Sequence, residues 1–274
     1  MAPSLIQKLK NKALSVRIET LKLHGLAPEA RIASSLSNVE VMTALYYGGL
    51  LRMDPKNKDH EKRDRFILSK GHGGISLYPI LADLGFFDRA ELARICQKDS
   101  FLGGIPDCIV PGFETTNGSL GHGLGVGCGM AIALKRKGSK SKVVVMVGDG
   151  ELNEGSVWEA IMFAAHHQLN NLYLIIDKNE KCMLDYCKNV VELSGLKGKL
   201  REFGWNVHDA DGHCMEKLFP ALKLFFTDKA SQPKVFIAQT VKGKGVPRLE
   251  QDPLCHIKSM NVAEINQIVQ ELQS

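Results

Sequence analysis

The chain has 274 residues, 44% of them hydrophobic, and a formal charge of +5; that is enough apolar material for one large core, with no run near the roughly 20 apolar residues of a membrane span. Dispersed basic residues without an aromatic–basic module argue against nucleic acid as a partner, and so mild a positive excess is either a solvated surface or an aid to phosphorylated substrates. Seven cysteines (Cys96, Cys108, Cys128, Cys182, Cys187, Cys214, Cys255) with no Cys-x-x-Cys pair point to reduced cytoplasmic thiols rather than a disulfide framework or a zinc site.

Residues 1–25 lack a secretory apolar segment, and their leucines, isoleucines and valine recur at helical spacing, predicting a helix over 5–23. A second helix is predicted over 37–51, capped by Ser37 or Asn38. Residues 65–69 read as a strand running into the glycine-rich turn Lys70-Gly71-His72-Gly73-Gly74, and helical spacing resumes over 75–84. Residues 101–125, dense in Gly and Pro, read as loop and lead into a small-residue helix over 125–135. Val143 to Val147 is a continuous β-branched run that stops at Gly148-Asp149-Gly150, as a buried parallel strand does. Residues 155–169 carry Trp158, Ile161, Met162 and Ala165 at helical spacing. Leu172 to Ile176 is a second apolar run, closed by Asp177 and Asn179. A weak strand at 205–207, a helix over 215–226, a strand over 235–240 and a polar terminal helix with Glu264 and Glu271 complete the chain. Strands alternating with helices predict an α/β fold, a doubly wound, mainly parallel sheet flanked by helices, in a single domain over 1–274.

Strand, helix, strand across residues 143–176 is one right-handed crossover, so both polar ends lie at the same carboxyl edge of the sheet. An acid and an amide oxygen meet there beside a helix start, whose free N–H groups favour phosphate. Mg²⁺ bound through one carboxylate plus diphosphate oxygens suits that geometry. Alone, Gly-Asp-Gly is commonly a turn and Asp-x-Asn a helix cap. Asp149 and Asn179, 30 residues apart and each closing a strand, together resemble the signature of thiamine diphosphate enzymes.

The further motifs are Ser34-Ser35-Leu36-Ser37, Leu68-Ser69-Lys70-Gly71-His72, Gly118-Ser119-Leu120-Gly121-His122-Gly123, Glu151 with Glu154-Gly155 and Trp158-Glu159-Ala160, Asp211-Gly212-His213 and Lys242-Gly243-Lys244-Gly245. In this order they resemble the N-terminal, diphosphate-binding part of transketolases over nearly the whole chain. Fold by itself would not license a function; these positions carry it.

The resemblance implies that Asp149 and Asn179 hold Mg²⁺ (or Ca²⁺ or Mn²⁺) through side-chain oxygens, with the carbonyl of Lys181 as third protein ligand. It implies cofactor contacts from His72, Gly118, Ser119, Leu120, Gly148, Asp149, Gly150, Glu151, Asn179, Lys242 and His256. Gly150 would let the backbone approach the diphosphate. His72 and His256 are the expected catalytic histidines; His256 could exchange protons with a substrate hydroxyl, or be a surface histidine in a loop. Glu154 and Glu159 are either dipole-favoured acids at a helix start or, as the resemblance implies, interface acids linking paired active sites.

Two positions depart from the family pattern. Arg31 falls where a substrate-handling histidine precedes Ser34-Ser35-Leu36-Ser37, and Ile105 stands for the histidine of Gly-His-Pro in Gly104-Ile105-Pro106. Isoleucine can neither transfer protons nor bond a sugar hydroxyl, and arginine is a fixed cation. The expectation is an intact cofactor site with a rebuilt substrate site, so that donor or acceptor differs from the ordinary pentose phosphates.

In the family, the aminopyrimidine is gripped by a second domain, whose glutamate completes the proton relay. No second strand–helix series precedes Ser274. The expectation is therefore one subunit of a split transketolase in the cytoplasm, inactive alone. Its partner would carry the pyrimidine-binding and C-terminal domains in an α₂β₂ assembly. Its reaction would transfer a two-carbon ketol unit from a ketose or ketose phosphate to an aldose. The alternatives are a 2-oxo-acid decarboxylating component, with Arg31 anchoring a carboxylate, and a non-catalytic cofactor-binding subunit.

Overall fold

The computed structural model describes residues 4–57 and 60–273. Five strands, β1 (Arg65–Leu68), β2 (Val143–Gly148), β3 (Leu172–Lys178), β4 (Asn206–Asp211) and β5 (Lys234–Gln239), form one sheet in the order β1-β2-β3-β5-β4. Every pairing is parallel. The register sets Gly148 beside Asp177 and Lys178 beside Gln239, so the polar strand ends gather at one edge.

The helices are α1 (Leu5–Leu26), α2 (Ile32–Leu36), α3 (Val39–Tyr47), α4 (Leu77–Leu84), α5 (His122–Arg136), α6 (Gly155–His166), α7 (Cys187–Val190), α8 (Leu196–Glu202), α9 (Met215–Thr227), α10 (Pro247–Gln251) and α11 (Val262–Gln273). Val144, Met146, Tyr173, Ile175 and Phe236 face one core, shared with α1, α3 and α9. Val143, Val145, Val147, Leu172, Leu174 and Ile237 face the other, shared with α5, α6 and α8. Burial on both faces is why β2 and β3 are continuous apolar runs rather than alternating ones. The predicted doubly wound α/β architecture is observed.

Local differences have physical causes. The predicted helix over 37–51 is α3 alone, and Asn38 makes no cap bond with its side chain. Its amide instead donates to the Gly73 carbonyl and accepts from Ser76, tying α3 to the glycine turn. Helix α5 starts inside the glycine loop, because Gly121 at φ +85° supplies a left-handed turn that a side chain would resist. Helix α6 buries Val157, Ala160, Ile161 and Ala164, while Met162 is 49% exposed. The predicted apolar face is therefore rotated. No helix among the described residues is long and apolar enough to cross a membrane.

Candidate cofactor and substrate site

The site is assembled at the carboxyl edge of β2, β3 and β5. Beyond β2, the Asp149 carboxylate accepts the N–H of Gly150 at 2.9 Å and that of Glu180. Burial pushes its carboxyl up to about 6, which marks a desolvated acid without a full counter-charge. Asn179 is buried, and its Oδ1 accepts the Lys181 N–H at 3.3 Å. The carbonyls of Lys181 and Cys182 accept from the buried ammonium of Lys242, at 2.9 and 3.1 Å. Burial, and then Lys70, pull the Lys242 ammonium below its ordinary value.

A buried carboxylate, an amide oxygen and a carbonyl already turned toward a cation are hard oxygen donors, and they fit Mg²⁺. Among the described residues no group of three His, Cys, Asp or Glu could hold a metal. A divalent ion here would thus rest on Asp149, Asn179 and the Lys181 carbonyl, completed by ligand oxygens.

Behind this edge lies a charged pair. Lys70 places its ammonium on the Asp177 carboxylate, on the Ser34 carbonyl at 3.0 Å and on Ser37 Oγ at 3.3 Å. Asp177 also accepts from Ser37 at 2.6 Å and from Thr240. Burial works against its charge, but Lys70, Ser37 and Thr240 outweigh it and hold the carboxyl below its usual value. The pair locks β3 to the Leu68–His72 turn and to the end of α2.

His72 lies in a 3-10 turn, Gly71–Ser76, directly after β1. Its ring centroid is 5.1 Å from that of His256, which sits in a 3-10 turn, Cys255–Ile257, after α10. His256 Nδ1 is 3.4 Å from Ser34 Oγ. Burial, reinforced by Lys242, Arg31 and Lys70, drives His256 down to about 3. Burial and Lys70 hold His72 well below its ordinary range. Both imidazoles are therefore neutral near pH 7.

Arg31 is exposed at the N-cap of α2, and its charge reaches His256. Ile105 is 46% exposed. Its Cγ2 lies 3.2 Å from where a Cβ on Gly71 would stand and 3.6 Å from one on Gly118. Both departures from the family pattern thus border the histidines and the Gly118–Leu120 loop.

A family model described as "Transketolase, thiamine diphosphate binding domain" matches residues 29–273. The chain belongs to the transketolase family. An apulose-4-phosphate transketolase subunit of Actinobacillus succinogenes is 37% identical over 97% of this chain and 96% of its own length. The 6-deoxy-6-sulfo-D-fructose transketolase subunit SqwG of a Clostridium species is 34% identical over 86% of each chain. Rat transketolase is 35% identical over 98% of this chain but 42% of its own length. The crystal structure of Campylobacter jejuni transketolase superposes with a TM-score of 0.89 at 26% identity, covering all of this chain and 43% of that one. Thiamine diphosphate is thus the cofactor of the transketolase domain that this chain forms, and its reaction class is that of a transferase.

The carboxyl edge brings together Asp149, Asn179, Lys181, Lys242, His72 and His256, and Gly118 stands beside Ile105. Glu151 is different. Its side chain is 2% exposed and accepts from Ser69, from the Gly121 N–H at 2.9 Å and from the Gly148 N–H at 3.3 Å. It braces three turns from within. Gly150 is crowded by protein: a Cβ there would stand 3.3 Å from Cys182 Sγ. Glu154 and Glu159 are exposed on the first turns of α6.

The sequence motifs assign no role to Lys70 or Asp177, although charges that close apolar strands are a legible signal of buried pairing. His213 stands in the sequence only as part of a motif. Its Nε2 accepts the Val241 N–H at 2.8 Å, so its Nδ1 carries the proton donated to Glu40, also at 2.8 Å. It thereby anchors the segment that presents Lys242.

Proposed function

We propose that this chain is the diphosphate-binding subunit of a two-subunit transketolase whose sugar or sugar-phosphate substrates are not the ordinary pentose phosphates. The observation that carries the reading is the coexistence of an unaltered cofactor edge, Asp149 to Asn179 with Lys242, and an altered mouth, Arg31 and Ile105. Relatives named as transketolase subunits, matched along most of their own length, support the split; those two are named for apulose 4-phosphate and 6-deoxy-6-sulfo-D-fructose.

Asp149, Asn179 and the Lys181 carbonyl would hold Mg²⁺, and Lys242 would supply positive charge toward the diphosphate. When bound, thiamine diphosphate would supply the electron sink for cleaving and forming the ketose C2–C3 bond. His72 and His256, neutral and adjacent, orient hydroxyl groups by hydrogen bonding. A nearby phosphate charge raises the basicity of both, bringing them toward proton transfer near neutral pH. Ile105 offers an apolar wall where a histidine would bind a hydroxyl, and Arg31 offers a cation for an acidic substituent.

The partner contributes the pyrimidine-binding and C-terminal domains, in an α₂β₂ assembly. Val126, Met162 and Phe163 are between 42% and 49% exposed on α5 and α6, with Glu154 and Glu159 beside them on α6, a surface suited to that partner. Free thiols without a disulfide framework favour a cytoplasmic assembly.

Capture of the chain from its host with Mg²⁺ and thiamine diphosphate, followed by mass spectrometry, tests the reading. A stoichiometric companion with a pyrimidine-binding domain, active on branched, deoxy or sulfonated ketoses, is the expected result. Two-carbon transfer by the purified chain alone would refute the split.

A further inference from the structure

We propose that Cys182 and Cys187 are a hydroperoxide-oxidised thiol pair whose reversible disulfide loosens the grip of the adjoining diphosphate loop. The coupling half of this inference rests on the function proposed above.

The geometry comes from a short hairpin. Lys181 and Tyr186 form an isolated antiparallel bridge. The Cys182 N–H donates to the Asp185 carbonyl at 2.8 Å, and the Cys187 N–H to the Glu180 carbonyl at 2.9 Å. These bonds set the two sulfurs 3.3 Å apart, both thiols being free and half-buried. Cys187 also lines a cavity of about 660 Å³ between Asp149 and α7 and α8, together with Tyr186, Leu196 and Ile237. That cavity admits a small oxidant beside Cys187, whose sulfur is 3.3 Å from that of Cys182.

The chemistry balances. Cys182 attacks the hydroperoxide, the O–O bond breaks, and a sulfenic acid and one water (or alcohol) result. The Cys187 sulfur then attacks that sulfur, the S–O bond breaks, and a disulfide and a second water form. In a cytoplasmic protein such bonds are typically transient and redox-sensing.

The coupling is direct. The same hairpin begins at Asn179, its Glu180 N–H is held by Asp149, and its carbonyls at 181 and 182 hold Lys242. A disulfide needs its sulfurs about 2.05 Å apart. Closing the pair draws the two sulfurs together, and the movement taken up by Cys182 shifts the two carbonyls beside it.

The test exposes the reduced chain, assembled with its partner subunit, to hydrogen peroxide, maps its peptides by mass spectrometry, and measures thiamine diphosphate binding with Mg²⁺ by calorimetry. Expected is loss of the mass of two hydrogens in the peptide spanning 182–187, reversal by dithiothreitol, and cofactor binding weakened about tenfold. Cys187→Ser should show neither the bond nor the weakening. Two thiols still free, or independent over-oxidation of each, would overturn the pair. A disulfide that leaves affinity unchanged would overturn the coupling. If the reduced complex binds no cofactor, the functional reading and the coupling fall together, while the mass measurement still decides the pair.

Discussion

Lys70 and Asp177 form an ion pair in which neither side chain exceeds 1% exposure, directly beneath the edge where the cofactor domain would meet its ligand. Two charges so deeply buried stabilise only when every partner is present, and here Ser34, Ser37 and Thr240 complete the set.

Removing one partner leaves an uncompensated buried charge. Lys70→Met should cost about 3–5 kcal/mol, read as a lower urea midpoint at unchanged m-value. The double variant Lys70→Met with Asp177→Asn should recover part of that loss. Equal losses in the single and double variants would show that packing, rather than charge, sets the cost.

The sheet is legible in the sequence because strands buried on both faces must be apolar throughout, as residues 143–147 and 172–176 are. The edge strand β4 is weak in the sequence for the converse reason, since Asn206, His208 and Asp211 stay partly solvated. Asp149, Asn179 and the histidines are found by spacing and motif. The inward turn of the Glu151 side chain is not legible in the motif, which names a position without saying which way its side chain turns; only the folded Gly121 and Gly148 N–H groups reveal it. Lys70 and Asp177, separated by 107 positions, cannot be paired before the sheet order is known.

Asp149 carries a cost when no cation faces it. Its folded value of about 6, against 3.8 for the ordinary carboxyl, means that the native state binds the proton more tightly than the unfolded chain. The sign is destabilising above pH 6, and the penalty fades as pH falls from about 6 toward 4. Asp149→Asn should therefore stabilise the metal-free chain at pH 7.5 by about 2–3 kcal/mol, raising its Tm in EDTA. The same variant should lose the Tm increase that Mg²⁺ with thiamine diphosphate gives the wild type. A variant less stable than wild type in EDTA would contradict the desolvated-acid account.

His72 and His256 act in the opposite direction. Both are depressed below 6.5 in the folded chain, so below about pH 6.5 the unfolded state gains protons that the native state refuses. Their contribution is constant above that value and becomes destabilising as pH falls from 6.5 toward 4. Chemical denaturation of His256→Asn between pH 7.5 and 5 should show a shallower loss of stability than the wild type. Parallel curves would mean that His256 is more solvated than its place between Ser34 and Lys242 implies.

Ile105 borders Gly71 and Gly118, where an imidazole would reach a sugar hydroxyl and an isoleucine cannot. A site shaped to bond a hydroxyl rejects a partner lacking that bond far more strongly than an apolar wall rejects an added hydroxyl. With the partner subunit present, the wild type should turn over xylulose 5-phosphate and ribose 5-phosphate poorly. Ile105→His should raise kcat/KM for that pair by about tenfold or more, one good hydrogen bond being worth about 1.4 kcal/mol. Arg31→His combined with it should add further, since it removes the fixed cation and restores a second neutral donor. The same substitutions should lower kcat/KM for the native donor while leaving the affinity for thiamine diphosphate unchanged, because Asp149, Asn179 and Lys242 are untouched. Wild-type turnover of the pentose phosphates at ordinary transketolase rates would remove the case for a rebuilt substrate site, even with the cofactor edge intact.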